Sequence, residues 1–198
     1  THAAMPIIAA RRYIAGKPGD HSIKMDERPR DDLPPRAFDW VGLAEPLPEE
    51  MDAVREHFGL HPLAVEDALN PNQLPKVEIY GRHLFIVART AALQEGENIA
   101  FGQTALFLGP DYLVSVRFGS SRAHVTLRER LETNAERLSE GPDFVAHAIL
   151  DFIVDGYQPL IDGLEEAVQT MEERAIQAFP EPSTIRRIFR LRRHLRRF

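Results

Sequence analysis

The period of the apolar positions changes along the chain, and the change divides it in two. Up to about residue 118, short apolar or alternating runs are separated by Pro, Gly and charged residues. The runs are 6–14 (PIIAARRYI), 37–43 (AFDWVGL), 76–80 (KVEIY), 84–93 (LFIVARTAAL), 99–108 (IAFGQTALFL) and 112–118 (YLVSVRF). Lengths of this kind, bounded by turn residues, predict strands. Gly109-Pro110-Asp111 predicts a hairpin between the last two. The stretch 15–36 is rich in Pro, Gly and charge and reads mainly as loop or weak strand.

Two short helices interrupt the strands. Pro48 opens the first, with Glu49 and Glu50 in the turn where the helix dipole favours acids. Met51, Val54 and Phe58 form its apolar face and Gly59 ends it. Pro62 begins the second, LAVEDAL, which Asn70-Pro71 terminates. The stretch 120–138 alternates Arg and Glu around Val125, Leu127 and Leu131, which predicts one amphipathic helix capped by Ser120-Ser121.

Beyond residue 139 the period becomes helical throughout. Phe144, Ala148, Phe152, Leu160, Leu164 and Met171 belong to a series spaced by three and four, which predicts a long helix with a seam, bent at Gly156 and Pro159. Pro180 and Pro182 break it, and Ser183 or Thr184 can cap a second helix striped by Ile185, Ile188, Leu191 and Leu195. The expected fold class is α/β (α+β). A mixed β-sheet flanked by helices fills 1–138, and a long helical hairpin fills 139–198. The first arm carries Glu165, Glu166, Glu172 and Glu173, and the second carries seven arginines from Arg186 to Arg197. Complementary pairing between the arms is expected, each exposed pair contributing little.

Composition narrows the chemistry. The 198 residues are 43% hydrophobic and 27% charged, as in ordinary globular chains. A net charge of −6 gives no sign of nucleic-acid binding. There is no cysteine, which excludes disulfides, thiolate-held zinc and thiol catalysis. No run approaches the roughly 18 apolar residues of a spanning helix, and no signal peptide pattern opens the chain. A soluble piece of a longer protein is expected, since the sequence starts at Thr1 and stops inside a helical run at Phe198. No GxSxG, P-loop or GxGxxG motif is present, so no enzyme is expected.

The string HPLAVEDALNPNQLPKVEIYGRHLFIV, residues 61–87, resembles the CorA family of magnesium and cobalt transporters. The resemblance continues through QTALFLGPDYLVSV, GPDFVAHAILDFIVDGYQPLIDGLEEAV and RIFRLRRHLRR, and covers nearly everything after Phe38. It implies a mixed sheet with helices leading toward a membrane, a homopentameric funnel, and a place on the cytoplasmic face of the inner membrane. The family's pore signature, Gly-Met-Asn, is absent, and the stalk helix before it is expected to be missing. Leu74 stands where the family usually has Arg. A zinc-transporting branch shares the architecture, but residues 61–78 look closer to the magnesium branch.

Glu66 and Asp67 are adjacent acids late in a helix, where the dipole disfavours negative charge. They need compensation by a base, water or a metal, or they form a solvated face. The resemblance implies that they belong to a regulatory site for Mg2+, or Co2+, between subunits. It adds Asp151, which shares a helix face with Asp155. Asp155 and Asp162 read as solvated. The candidate metal ligands are therefore Asp67, Asp151 and Glu66, in that order, with no catalytic residue and no nucleic-acid partner. His57 and His61 have a zinc-like spacing, but Gly59 and Pro62 break the helix they would need. The Arg-rich final helix leaves open an alternative, a module that binds nucleic acid or anionic membrane.

Overall fold

The computed structural model describes residues 7–25, 33–94, 98–119, 124–177 and 181–196, and the elements named below lie within them. Strands β1 (Ile7–Ile14) and β2 (Lys17–Ser22) form a hairpin. Its turn residues Ala15 and Gly16 both have positive φ, 47° and 76°, the geometry that matches strand twist. A Cβ at Gly16 would fall 1.8 Å from the carbonyl oxygen of Ala135, so only glycine fits there.

Strand β3 (Ala37–Ala44) leads into α1 (Pro48–Phe58) and α2 (Pro62–Leu69). Proline starts both helices, and the Leu47 N–H donates to Glu50 Oε2 at 2.7 Å. Gly59, at φ 64°, closes α1 in the left-handed region. Then come β4 (Lys76–Tyr80), β5 (His83–Gln94), β6 (Asn98–Leu108) and β7 (Tyr112–Phe118). The expected turn joins the last two, with the Gly109 N–H donating to the Tyr112 carbonyl at 2.9 Å. Helices α3 (Val125–Glu132), α4 (Ala135–Leu138), α5 (Pro142–Asp155), α6 (Gln158–Gln177) and α7 (Pro182–Leu195) complete the order.

The strands make one mixed sheet in the order β2-β1-β3-β7-β6-β5-β4, in which only β3 and β7 run parallel. Side chains alternate across it and build a separate core on each face. Val41, Leu43, Phe85, Val87, Phe107 and Val114 meet Met51 and Val54 of α1 and Ala64, Val65 and Ala68 of α2. On the opposite face Phe38, Trp40, Leu106 and Leu113 meet Leu127 of α3, Leu138 of α4 and Val145 and Ile149 of α5. The result is three layers, helix–sheet–helix, as expected. The β1–β3 register is pinned by Arg12, which donates to both oxygens of the buried Asp39 carboxylate at 2.7 and 2.8 Å.

Several elements depart from the expectation. Within the stretch expected to be loop or weak strand, Lys17–Ser22 is an ordered edge strand. The single helix over 120–138 is two, because Asn134 Oδ1 accepts from the Arg137 N–H and starts α4 afresh; residues 120–123, with the expected Ser120-Ser121 cap, lie outside the described set. The final helix starts earlier than Ser183. The Ile185 N–H donates to the Glu181 carbonyl, so Glu181 precedes the first turn and Pro182 occupies it. Pro180 lies outside the described residues, as do 26–32.

The bend falls between α5 and α6, at Gly156 and Tyr157. By length and apolarity alone the run Pro142–Arg174 could cross a membrane. Its first half owes that character to the core, where Val145, Ala146, Ile149 and Ile153 are buried against the sheet and α3. Helix α6 lies along β5, where Leu160 joins Ala91 and Ile99. Helices α6 and α7 meet through Ala167, Met171 and Leu191. Among the described residues no salt bridge joins their glutamates and arginines. The contact between the arms described there is apolar.

Candidate metal-sensing face

Helix α2 is placed by its apolar side and pinned at its end. Ala64, Val65 and Ala68 sink into the core, leaving Glu66 exposed and Asp67 half-buried. Gln103 of β6 is 2% exposed and donates from Nε2 to the carbonyls of Asn70 at 2.8 Å and Ala68 at 3.4 Å. Those are among the carbonyls that a helix C-terminus leaves without intrahelical partners. At the other end His61 Nδ1 accepts from the Leu63 N–H at 3.3 Å, and its ring stacks on Tyr80 at 4.2 Å.

The compensation that Asp67 needs comes from the chain itself. Asp67 Oδ1 accepts from Gln73 Nε2, and Oδ2 faces Lys76 Nζ at 2.5 Å. Lys76 also pairs with Glu78 at 3.0 Å, and Glu78 Oε2 accepts from the Tyr80 hydroxyl at 2.9 Å. The result is a polar chain running from α2 along β4. Its charges shift one another. The hydrogen bond to Asp67 raises the Lys76 ammonium above its usual range, and Lys76, with Tyr80 second, holds the Glu78 carboxyl below the usual carboxylate range. Lys76 and Gln73 were missed in the sequence. The signal was there in QLPK, a donor and a cation just past the turn that ends the acidic helix.

Asp151 is elsewhere. It is exposed on α5, which packs on the sheet face opposite α2. Asp67 and Asp151 of one chain therefore belong to different layers. Asp155 and Asp162 are exposed as expected, and Asp162 accepts from Gln158 Nε2 at 2.7 Å. Among the described residues no three His, Asp or Glu side chains gather as a metal cage. His57 is buried on α1 while His61 caps α2, so the pair forms no zinc site. The oxygen donors on offer, Glu66 and Asp67 on one helix and Asp151 on another, suit a hard cation that keeps much of its water.

Residues 35–198 match the family described as "CorA-like Mg2+ transporter protein". The chain is 31% identical over 144 residues to YfjQ of Bacillus subtilis (strain 168), covering 73% of the chain and 44% of that protein. It is 28% identical over 144 residues to the cobalt/magnesium transport protein CorA of Thermotoga maritima, covering 72% of the chain and 41% of that protein. It thus spans less than half the length of these relatives. Among solved structures the soluble domain of CorA from Methanocaldococcus jannaschii superposes with a TM-score of 0.72 over 96% of this chain and 72% of that one, at 19% identity. At that identity the likeness is one of fold, and it carries the mixed sheet with its long C-terminal helices. The family is one of transporters, not enzymes, and the chain belongs to it: it is a member of the CorA-like Mg2+ transporter family with the fold of the CorA soluble domain.

Proposed function

We propose that this chain is the cytoplasmic, cation-sensing part of a pentameric transporter for magnesium or cobalt. Its gate lies in membrane segments outside these residues. The supporting observation is that Asp67 and Asp151 sit on opposite faces of one sheet. A shared site for both then requires Glu66 and Asp67 of one subunit to face Asp151 of the next. An ion held there, Mg2+ or Co2+, neutralises carboxylates that would otherwise repel.

Each residue has a defined part. When internal magnesium is scarce, Asp67 keeps Lys76 as its counter-ion, while Glu66 and Asp151 push neighbouring subunits apart. When magnesium is abundant, Asp67 exchanges the ammonium for a hydrated ion and the interface closes. Such an equilibrium shifts only through differential affinity, and interface sites supply it because they exist only in the closed arrangement. Tenfold above its dissociation constant, one ion adds about 1.4 kcal/mol. Five sites give about 7 kcal/mol, more than the about 5.5 kcal/mol that turns a 1:99 population into 99:1.

The absence of cysteine from these residues makes a direct test clean. Leu63→Cys and Val154→Cys, exposed positions three residues from Glu66 and Asp151 on the same helices, combined in the full-length protein with any other cysteines removed, are treated with a short bifunctional maleimide. The expected result is a ladder of cross-linked subunits up to the pentamer in millimolar magnesium and little product in chelator. Cross-linking that ignores magnesium, or products confined to single chains, would contradict the reading.

A further inference from the structure

A second polar feature lies on the α3 side of the sheet, away from the acidic helix. The strand positions sharing that face are Ala9 and Arg11 of β1, Trp40 and Gly42 of β3, and Ser115 and Arg117 of β7, brought level by the β1–β3 and β3–β7 registers. Helix α3 roofs them with Val125, Arg128, Glu129 and Glu132, leaving a cavity of about 180 Å3. Toward α4 and α5 the same face is filled by apolar side chains. Here Arg11, Arg117 and Arg128 outnumber Glu129 and Glu132.

Arg128 dominates the cavity. It is 9% exposed, and burial depresses its basicity. Its guanidinium lies 3.8 Å from the centroid of the Trp40 ring. Its hydrogen-bonding neighbour is neutral, the Tyr13 hydroxyl at 3.2 Å. The nearby carboxylate of Glu132 is engaged elsewhere, by Arg11 at 3.2 Å and by the Tyr13 hydroxyl at 2.7 Å. A buried guanidinium without a carboxylate partner is costly unless something anionic visits it. A second buried donor belongs to a residue of the same lining. Trp40 is 1% exposed, and its indole N–H has no hydrogen-bond partner. Gly42 keeps the floor open, since a Cβ there would lie 3.6 Å from Ser115 Oγ and 3.7 Å from Arg128 Nη2.

We propose that this cavity binds a phosphate-class oxyanion, with the Arg128 fork and the Trp40 indole N–H as donors and Arg117 adding positive charge. Arginine's planar fork fits tetrahedral oxyanions in pairs of hydrogen bonds. The cavity holds about half a dozen waters' worth of space at about 30 Å3 each, enough for a phosphoryl group. The ligand is free inorganic phosphate or the phosphoryl end of a metabolite whose remainder stays outside. The proposal does not depend on the cation-sensing face, because it uses none of that face's residues.

The chain carries its own reporter, since Trp40 is its single tryptophan and touches Arg128. The experiment titrates inorganic phosphate into the 198-residue chain at constant ionic strength, reading Trp40 fluorescence and the 31P line width. AMP forms a second arm and sodium chloride the control. Unfolding curves accompany each variant. A saturable response is expected, weakened by about tenfold or more in Arg128→Gln, the loss of roughly one charge-assisted hydrogen bond. Should Arg128→Gln fail to fold, Gly42→Ala carries the test, because its methyl narrows the cavity at ordinary contact distances. Equal midpoints for phosphate and AMP assign free phosphate, and a midpoint about tenfold lower for AMP assigns a phosphorylated metabolite; either upholds the site. A response no different from that of chloride, or one unchanged in a folded Gly42→Ala protein, overturns it.

Discussion

Lys76 Nζ stands 2.5 Å from Asp67 Oδ2, so the foremost candidate metal ligand is already paired with a cation of its own chain. The pair is partly exposed, 27% for the Lys76 side chain and 21% for Asp67, and pairs of that kind are worth about 0.2–1 kcal/mol. A counter-ion held this loosely satisfies the helix end and can still be displaced.

Lys76→Met therefore removes a competitor. In the full-length transporter, half-inhibition by internal magnesium is expected at a concentration about two- to fivefold lower than in the native protein, the factor corresponding to about 0.4–1 kcal/mol. Flux measured against internal magnesium checks it. An increase in the required magnesium would mean that Lys76 supports the site rather than competes for it.

The two cores make a contrasting pair of stability predictions. Ile149 is fully buried between α5 and the sheet, whereas Ile176 of α6 is 87% exposed. Ile149→Ala is expected to cost about 2–5 kcal/mol through lost burial and the cavity left behind. Ile176→Ala should stay within about 0.5 kcal/mol. Denaturant unfolding of the chain measures both.

All four tyrosines hold their protons more tightly than usual. Burial is the main cause for Tyr13, Tyr112 and Tyr157, and the hydrogen bond to Glu78 for Tyr80. Tyrosinate absorbance at about pH 10, the ordinary midpoint, should therefore fall below half its full value and should rise there on adding denaturant. The sign for stability follows. A folded-state value raised above the unfolded one gives stability that is complete below about pH 10 and lost as the pH climbs toward the folded values. Unfolding midpoints that do not fall above about pH 10 would contradict this.

Where local chemistry decides, the sequence was a sufficient guide. Pro48, Gly59, Pro62 and Asn70-Pro71 bound α1 and α2 as expected because each acts through its own backbone. Strand β2 was legible only as loop or weak strand because KPGDHS has no apolar alternation, and main-chain pairing with β1 at the sheet edge holds it. The break between α3 and α4 was hidden because the apolar series runs on to Leu131, while Asn134 restarts the helix through a side-chain hydrogen bond. The acidic candidates themselves were visible. The Asp67–Lys76 pair was not, since it spans nine residues and depends on how β4 returns past α2. Nor was the sheet-wide separation of Asp67 from Asp151, which only the topology reveals.

On the proposed reading Asp67, shared between subunits, reports internal magnesium to the gate. Its most direct test is flux through the full-length transporter as internal magnesium is raised, native against Asp67→Asn. The native protein is expected to shut over the titration and the variant to stay open, or to need about tenfold more magnesium for each lost ligand interaction of about 1.4 kcal/mol. Identical inhibition curves for the two proteins would contradict it.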